Sequence, residues 1–195
     1  MLKFCNMFKD RILEHQQVVS SLINDDVFIG ELRRTASIIT DVFKAGGKLL
    51  LCGNGGSAAD SQHIATELVS RFYLERAALD AEALTINTSS LTAIANDYSF
   101  DDIFSRQVEA KGRKGDVIIG ISTSGNSKNV YNALVKARSI GMVTISFIGG
   151  NLQTLIPKVS DIVLSIPSKD TPRIQECHIM IGHILCEYIE SNVFK

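Results

Sequence analysis

The run Asp116-Val117-Ile118-Ile119-Gly120-Ile121-Ser122-Thr123-Ser124-Gly125-Asn126-Ser127 decides the fold. A short apolar stretch passes directly into a turn of serine, threonine and glycine, and a helix-like pattern follows over 127–140. A continuous apolar run of that length reads as a strand buried on both faces. A small-residue turn that opens a helix is a natural anion site, because free backbone N–H groups and the positive end of the helix dipole face the ligand. The same unit occurs earlier. Leu49-Leu50-Leu51-Cys52 feeds Gly53-Asn54-Gly55-Gly56-Ser57, and a helical pattern runs near 57–72. Two such turns in one small chain suggest a ligand that is both phosphorylated and rich in hydroxyls.

Working outward, further strands are expected at Ala83–Ile86, Val143–Phe147 and Ile162–Ile166, with helices near 90–96 and 173–192. Apolar strands alternating with helices predict a parallel sheet covered on both faces. In such sheets ligands bind at the carboxyl ends of the strands, where both glycine/serine turns fall. Ahead of the first strand the chain reads as two helices. Phe4, Phe8, Ile12, Val19 and Ile23 recur at helical intervals, and Asn24-Asp25-Asp26 then breaks the pattern and can cap a second helix. That helix carries Val27, Leu32, Ile39 and Phe43 and ends at Gly46-Gly47. Two helices here need a surface to pack on, and a partner subunit is one candidate.

Composition narrows the function. At 195 residues the chain fits one domain, and 45% hydrophobic with 21% charged residues is ordinary for a globular protein. A formal net charge of −1, without a basic run, gives no reason to expect nucleic acid or an anionic membrane as partner. Lys9, Asp10 and Arg11 interrupt any signal-peptide core, and no apolar stretch approaches the roughly 20 residues of a spanning helix. A cytoplasmic location is expected. Cys5, Cys52, Cys177 and Cys186 lack metal-motif spacing and read as reduced packing residues.

The first turn satisfies G-x-G-x-x-A at Gly53, Gly55 and Ala58. A dinucleotide site also needs an acidic residue near the end of the second strand, and Thr85-Ile86-Asn87-Thr88 offers none. Neither turn is followed by G-K-[ST], which argues against a nucleoside triphosphatase. The second turn brings the hydroxyls of Ser122, Thr123, Ser124 and Ser127 together, enough with backbone amides to surround a phosphate. A helix cap alone would account for Ser127 but not for the other three. His63 and Glu67 stand four apart on one helical face and can act as an acid/base pair or as two metal ligands. On the last helix, Gln175 and His183 share a broad face about 12 Å apart along the axis, while His178 reads as an ordinary helix histidine. Asn96-Asp97 is either a helix stop or a pair of hydrogen-bonding groups for sugar hydroxyls.

Taken in order, these motifs resemble the sugar isomerase (SIS) domain, and within it the sedoheptulose 7-phosphate (phosphoheptose) isomerase family. The resemblance is carried by Cys52–Ser57, His63/Glu67, Ala95-Asn96-Asp97, Asp102–Glu109, Gly120–Ser127 and Arg173-Ile174-Gln175-Glu176 with His183. It implies a three-layer α/β sandwich around a five-stranded parallel, flavodoxin-like sheet. Residues 1–195 would form a single SIS domain, with helices at 1–46 used in oligomerisation and the α/β core at 47–195. It further implies a homotetramer converting sedoheptulose 7-phosphate to D-glycero-D-manno-heptose 7-phosphate, the first step of heptose supply for lipopolysaccharide core. Glu67 and His183 would be the catalytic pair. Asn54, Gly55, Gly56, Glu67, Asn96, Asp97 and Gln175 would contact the sugar, and Ser122, Thr123, Ser124 and Ser127 the phosphate. His63, Glu67, Gln175 and His183 would hold one zinc per subunit. The same fold also serves non-enzymatic tetramers that bind a replication initiator or sense phosphosugars. The presence of both Glu67 and His183 favours the enzyme, since a pure binder needs no acid/base pair.

Overall fold

The computed structural model describes residues 2–194, with side chains from Asn6 onward, so Phe4 and Cys5 lie outside the described side chains. Helices α1 (Leu2–Ile23) and α2 (Asp26–Lys44) precede β1 (Leu49–Gly53) and α3 (Gly56–Val69). Then come β2 (Ala81–Ala83), α4 (Thr88–Asp97), α5 (Ser105–Lys111), β3 (Val117–Ser122) and α6 (Lys128–Ile140). β4 (Val143–Gly149), β5 (Ile162–Ile166) and α7 (Thr171–Val193) complete the chain. All strand pairs are parallel, in the order β2-β1-β3-β4-β5.

Alternation along each strand builds the layers. Leu49, Leu51, Val117, Ile119, Ile145 and Phe147 point into a core shared with α2, α3 and α7. Leu50, Cys52, Ile118 and Ile148 point into a second core with Val108 of α5 and Val130, Ala133, Leu134 and Ala137 of α6. The expected three-layer sandwich is the observed one. A fully buried Leu or Ile in such a core contributes about 2 kcal/mol, so the sheet is a rigid platform. Strand order reverses between β1 and β3, and in sheets of this order the ligand crevice opens at that switch, outside the carboxyl ends of the two strands. Both glycine/serine turns leave those two ends.

Asp25 caps α2, accepting from the Phe28 N–H at 3.0 Å, as the Asn24–Asp26 break predicts. The helix then buries Phe28, Leu32, Ala36, Ile39 and Phe43 in the core, so it is one of the sandwich helices. α1 differs. Leu22 is buried, but Phe8, Ile12 and Ile23 are exposed in the single chain. Its polar face is tied to α7: Arg173 Nη1 donates to the Arg11 carbonyl at 2.7 Å, and His15 Nδ1 lies 2.9 Å from a Glu176 oxygen.

Two expectations need correction. The second strand is Ala81–Ala83 rather than Ala83–Ile86. Leu84 N–H still reaches the Leu51 carbonyl at 2.8 Å, but the chain then turns and leaves Ile86 exposed. A carboxylate, Glu82, therefore does lie in this strand, but Lys111 Nζ holds it at 2.7 Å. The seven-residue α5 was not anticipated, nor were the 3₁₀ turns at Phe100–Asp102 and Ile156–Val159. Among the described residues, no helix is long and apolar enough to cross a membrane.

Candidate functional site

The turn after β1 is shaped by backbone. Gly55 has φ 56° and ψ −120°, a region that side chains disfavour, and it starts α3 without a side-chain cap. At Gly56 a Cβ would sit 2.3 Å from Gln175 Nε2, so the carboxamide of Gln175 rests directly on this glycine. The Asn54 carboxamide pairs with that of Asn129 on α6 through two bonds of 2.9 Å.

The turn after β3 is shaped by hydroxyls. Ser122 Oγ lies 2.9 Å from Ser127 Oγ and 3.4 Å from Ser124 Oγ. Ser127 occupies the N-cap position of α6, yet its side chain caps nothing. The capping alternative fails on that geometry, and the three serines face one another. Gly125, at φ 67°, packs so closely on Thr154 that a Cβ would meet its Oγ1 at 2.2 Å. The Thr123 carbonyl accepts from the Gly149 N–H at 3.1 Å, and the Thr123 side chain is half-buried.

Two helical turns into α3, His63 meets α7. Its Nε2 is 2.8 Å from Nε2 of His183 and 3.3 Å from Glu67 Oε1. The donor atoms of His63, Glu67 and His183 all lie within 4.8 Å of one another. Two imidazole nitrogens and a carboxylate converging on one point suit a divalent metal, zinc among them. The cluster is open to solvent, with the His63 side chain 48% exposed. Phe72 closes one side, its ring centroid 5.9 Å from that of His183. Of the predicted residues, Asn96 and Asp97 stand apart: they end α4, are exposed, and bond to each other at 2.8 Å.

Several residues here were not singled out from sequence. Asp60, one turn before His63, has a buried carboxylate oxygen with no hydrogen-bond partner. Burial pushes its carboxyl up to about 6, against the opposing pull of His63. Glu190 and Arg76 form a buried pair at 3.0 Å under the 70–76 segment. Glu190 also accepts from the N–H groups of Phe72, Tyr73 and Leu74. Burial alone would raise its pKa, but the three N–H groups and Arg76 outweigh burial and lower it. No sequence spacing signals this clamp, which sets Phe72 against His183. His178 is fully buried on α7, with Nε2 3.3 Å from the Ile148 carbonyl.

A hydroxyl-lined turn at the switch point of a parallel sheet, with a His–Glu–His cluster between α3 and α7, is the equipment of a phosphosugar-handling α/β domain. The sequence profile of the SIS domain matches residues 16–149, which include both turns and the His63/Glu67 pair but end before α7. Full-length similarity supplies the rest. The chain is 51% identical over 189 residues to a phosphoheptose isomerase of Clostridium acetobutylicum, covering 97% of this chain and 96% of that one. Among solved structures, a phosphoheptose isomerase from Francisella tularensis superposes with a TM-score of 0.91 at 32% identity, covering 96% and 98% of the two chains. One from Neisseria gonorrhoeae superposes with a TM-score of 0.84 at 40% identity, covering 97% of each. The chain belongs to the SIS domain family and, within it, to the phosphoheptose isomerases; it is a sugar-phosphate isomerase.

Proposed function

We propose that the chain interconverts sedoheptulose 7-phosphate and D-glycero-D-manno-heptose 7-phosphate through a cis-enediol, supplying heptose for lipopolysaccharide core. The observation that carries this reading is the convergence of His63, Glu67 and His183 in a fold that also brings the hydroxyls of Ser122, Ser124 and Ser127 together. In this reading Ser122, Thr123, Ser124 and Ser127 grip the phosphate. Asn54, Gly55, Gly56, Gln175, Asn96 and Asp97 hold the sugar. Glu67 takes the proton that moves between C1 and C2, and His183 serves the oxygens at those carbons. Backbone N–H groups at the start of α3 favour the negative charge that develops on the enediolate.

His63, Glu67, Gln175 and His183 would hold one zinc per subunit. Its chemistry, when bound, is to polarise the substrate carbonyl as a Lewis acid. A carboxylate has two oxygens, so Glu67 can face the cluster with one and take a proton with the other. The openness of the cluster, together with the exposed Phe8, Ile12 and Ile23 of α1, supports a homotetramer in which neighbouring copies cover these surfaces. A cytoplasmic location follows from the same reading, as the sugar phosphate is an intracellular metabolite.

Turnover of sedoheptulose 7-phosphate by the purified protein, with and without chelator and added zinc, tests the proposal. Glu67→Gln should lower kcat by about a thousandfold or more with an unchanged thermal melt. His183→Ala should do the same. Near-normal activity in Glu67→Gln would remove that residue as the base. No turnover by the folded wild-type protein under any metal condition would overturn the proposed reaction.

A further inference from the structure

We infer that Asn129 is a positioning residue for the reaction: it acts through Asn54 and fixes the sugar-holding turn relative to the phosphate-holding turn. This deepens the proposed function and rests on its assignment of those two turns. Asn129 lies two residues beyond Ser127, in the first turn of α6, and is only 2% exposed. Its partner is 75 positions away in sequence. Asn54 Nδ2 donates to Asn129 Oδ1 at 2.9 Å, and Asn129 Nδ2 donates back to Asn54 Oδ1 at 2.9 Å.

The orientation of the pair is determined by its bonds. Asn129 Oδ1 also accepts from the Val130 N–H at 2.9 Å, so both its lone pairs are occupied. Rotating either amide by half a turn would set like groups against each other in a buried place. Asn54 keeps one Nδ2 hydrogen and one Oδ1 lone pair beyond this pairing. Asn129 therefore decides the plane in which those remaining groups meet a sugar. At its other end, the same turn of α6 begins at Ser127, whose Oγ bonds Ser122 Oγ. The carboxamide pair thus links the residue that touches the sugar to the helix that begins at the phosphate hydroxyls. A fixed offset between the turns selects for one separation of phosphate from reacting carbons, and hence for sugar length.

The test uses the full-length protein in five forms: wild type, Asn129→Leu, Asn129→Ala, Asn54→Ala and the double variant Asn54→Ala/Asn129→Ala. Leucine keeps the branched shape of asparagine with bulkier ends while removing both bonds to Asn54 and the one from the Val130 N–H. Alanine removes the same bonds without added bulk. Measured are kcat and KM for sedoheptulose 7-phosphate and for a six-carbon ketose phosphate, affinity for inorganic phosphate by calorimetry, and the thermal melt. Asn129→Leu should lose about tenfold in kcat/KM for the seven-carbon sugar, with inorganic phosphate affinity within about twofold of wild type. Its preference for seven carbons over six should shrink, and the double variant should be no worse than Asn54→Ala. Additive losses in the double variant would overturn the proposal, as would an equal loss of inorganic phosphate affinity or wild-type kcat/KM in Asn129→Leu. If both Asn129 variants unfold below the assay temperature, the residue is one the fold requires and the proposal falls. If the wild type turns over neither sugar, the isomerase reaction itself is refuted. Calorimetric binding of sedoheptulose 7-phosphate by the same five proteins then still decides whether Asn129 acts through Asn54.

Discussion

The two glycine/serine turns leave neighbouring strands at the same switch point and open a helix each, yet they are built differently. After β1, the side chains are already committed: Asn54 faces Asn129, and Gln175 rests on Gly56. After β3, the hydroxyls of Ser124 and Ser127 both lie within hydrogen-bond reach of the Ser122 hydroxyl. One turn is held by side chains of helices α6 and α7. The other is held through its backbone carbonyls, Thr123 accepting from the Gly149 N–H of β4 and Gly125 from the Ile156 N–H. The same strand–turn–helix unit thus yields two devices. An oriented frame suits the end of a substrate where a proton must move between fixed atoms. A ring of rotatable hydroxyls suits a phosphate, whose oxygens are equivalent and accept from many directions.

The largest expected effect strikes the scaffold common to both turns. His178 joins α7, which carries Gln175, to Ile148 of β4, next to the Gly149 N–H that holds Thr123. A carbonyl only accepts, so the ring donates from Nε2, and the buried Nδ1 has no partner. Burial lowers the His178 pKa to about 4, against the smaller opposing effect of the Ile148 carbonyl. The unfolded chain binds this proton near pH 6.5 and the folded one only near 4. Stability from His178 is therefore complete above about pH 6.5 and is lost as pH falls towards 4. The loss totals about 3 kcal/mol. Glu190, whose pKa is lowered on folding, adds a loss of the same sign below its ordinary range. Urea unfolding at pH 7.5 and 4.5 measures the effect, and His178→Met should flatten the slope. Asp60, whose carboxyl burial raises to about 6, shifts stability in the opposite sense over the same range. The test is therefore wild type against His178→Met, and an equal pH dependence in the two would show that the ring is charged or hydrated in the fold.

Next come the glycines that distinguish the two turns. Gly125→Ala should cost about 2 kcal/mol, because φ 67° is strained for alanine and the new Cβ overlaps the buried Thr154. Gly56→Ala should cost much less stability, since the group it meets is the movable end of Gln175. Its damage should fall instead on turnover, because Gln175 is displaced from the site. Thermal melts and kcat for both variants check the contrast. Equal destabilisation by the two would mean that the turns are held in the same way.

Much of this was legible in the sequence, for identifiable reasons. Strands β1, β3, β4 and β5 begin where the apolar runs begin, because a strand buried on both faces leaves a continuous signature. The bounds of β2 are hidden in the apolar pattern because Leu84 is still buried while the backbone already turns. Helix α5 leaves no legible period, because seven residues give too few repeats. The His63/Glu67 pair shows in its spacing, whereas the approach of His183 depends on how α7 crosses α3 and came only through resemblance. Asn129 and Asp60 carried no signal. Their significance lies in a bond across 75 residues and in a buried carboxylate oxygen without a partner, and both arise only when the chain is folded.

The smallest effect on stability separates a cap from a ligand group. If Ser127 capped α6, Ser127→Ala would cost about 1 kcal/mol. Its Oγ is turned towards Ser122 instead, and no backbone N–H depends on it. Ser127→Ala should therefore shift stability by less than about 0.5 kcal/mol, the range of a substitution that breaks no buried network. Its cost should appear in substrate binding. Losing one of the hydroxyls on a phosphate should raise KM for the sugar phosphate about tenfold, a change of 1.4 kcal/mol, with kcat nearly intact. Asn54→Ala should do the reverse, lowering kcat more than it raises KM, because a misdirected sugar still keeps its phosphate grip. Opposite KM and kcat patterns from two residues on adjacent strand ends would establish the division of labour between the turns. Matching patterns would reduce them to a single binding surface.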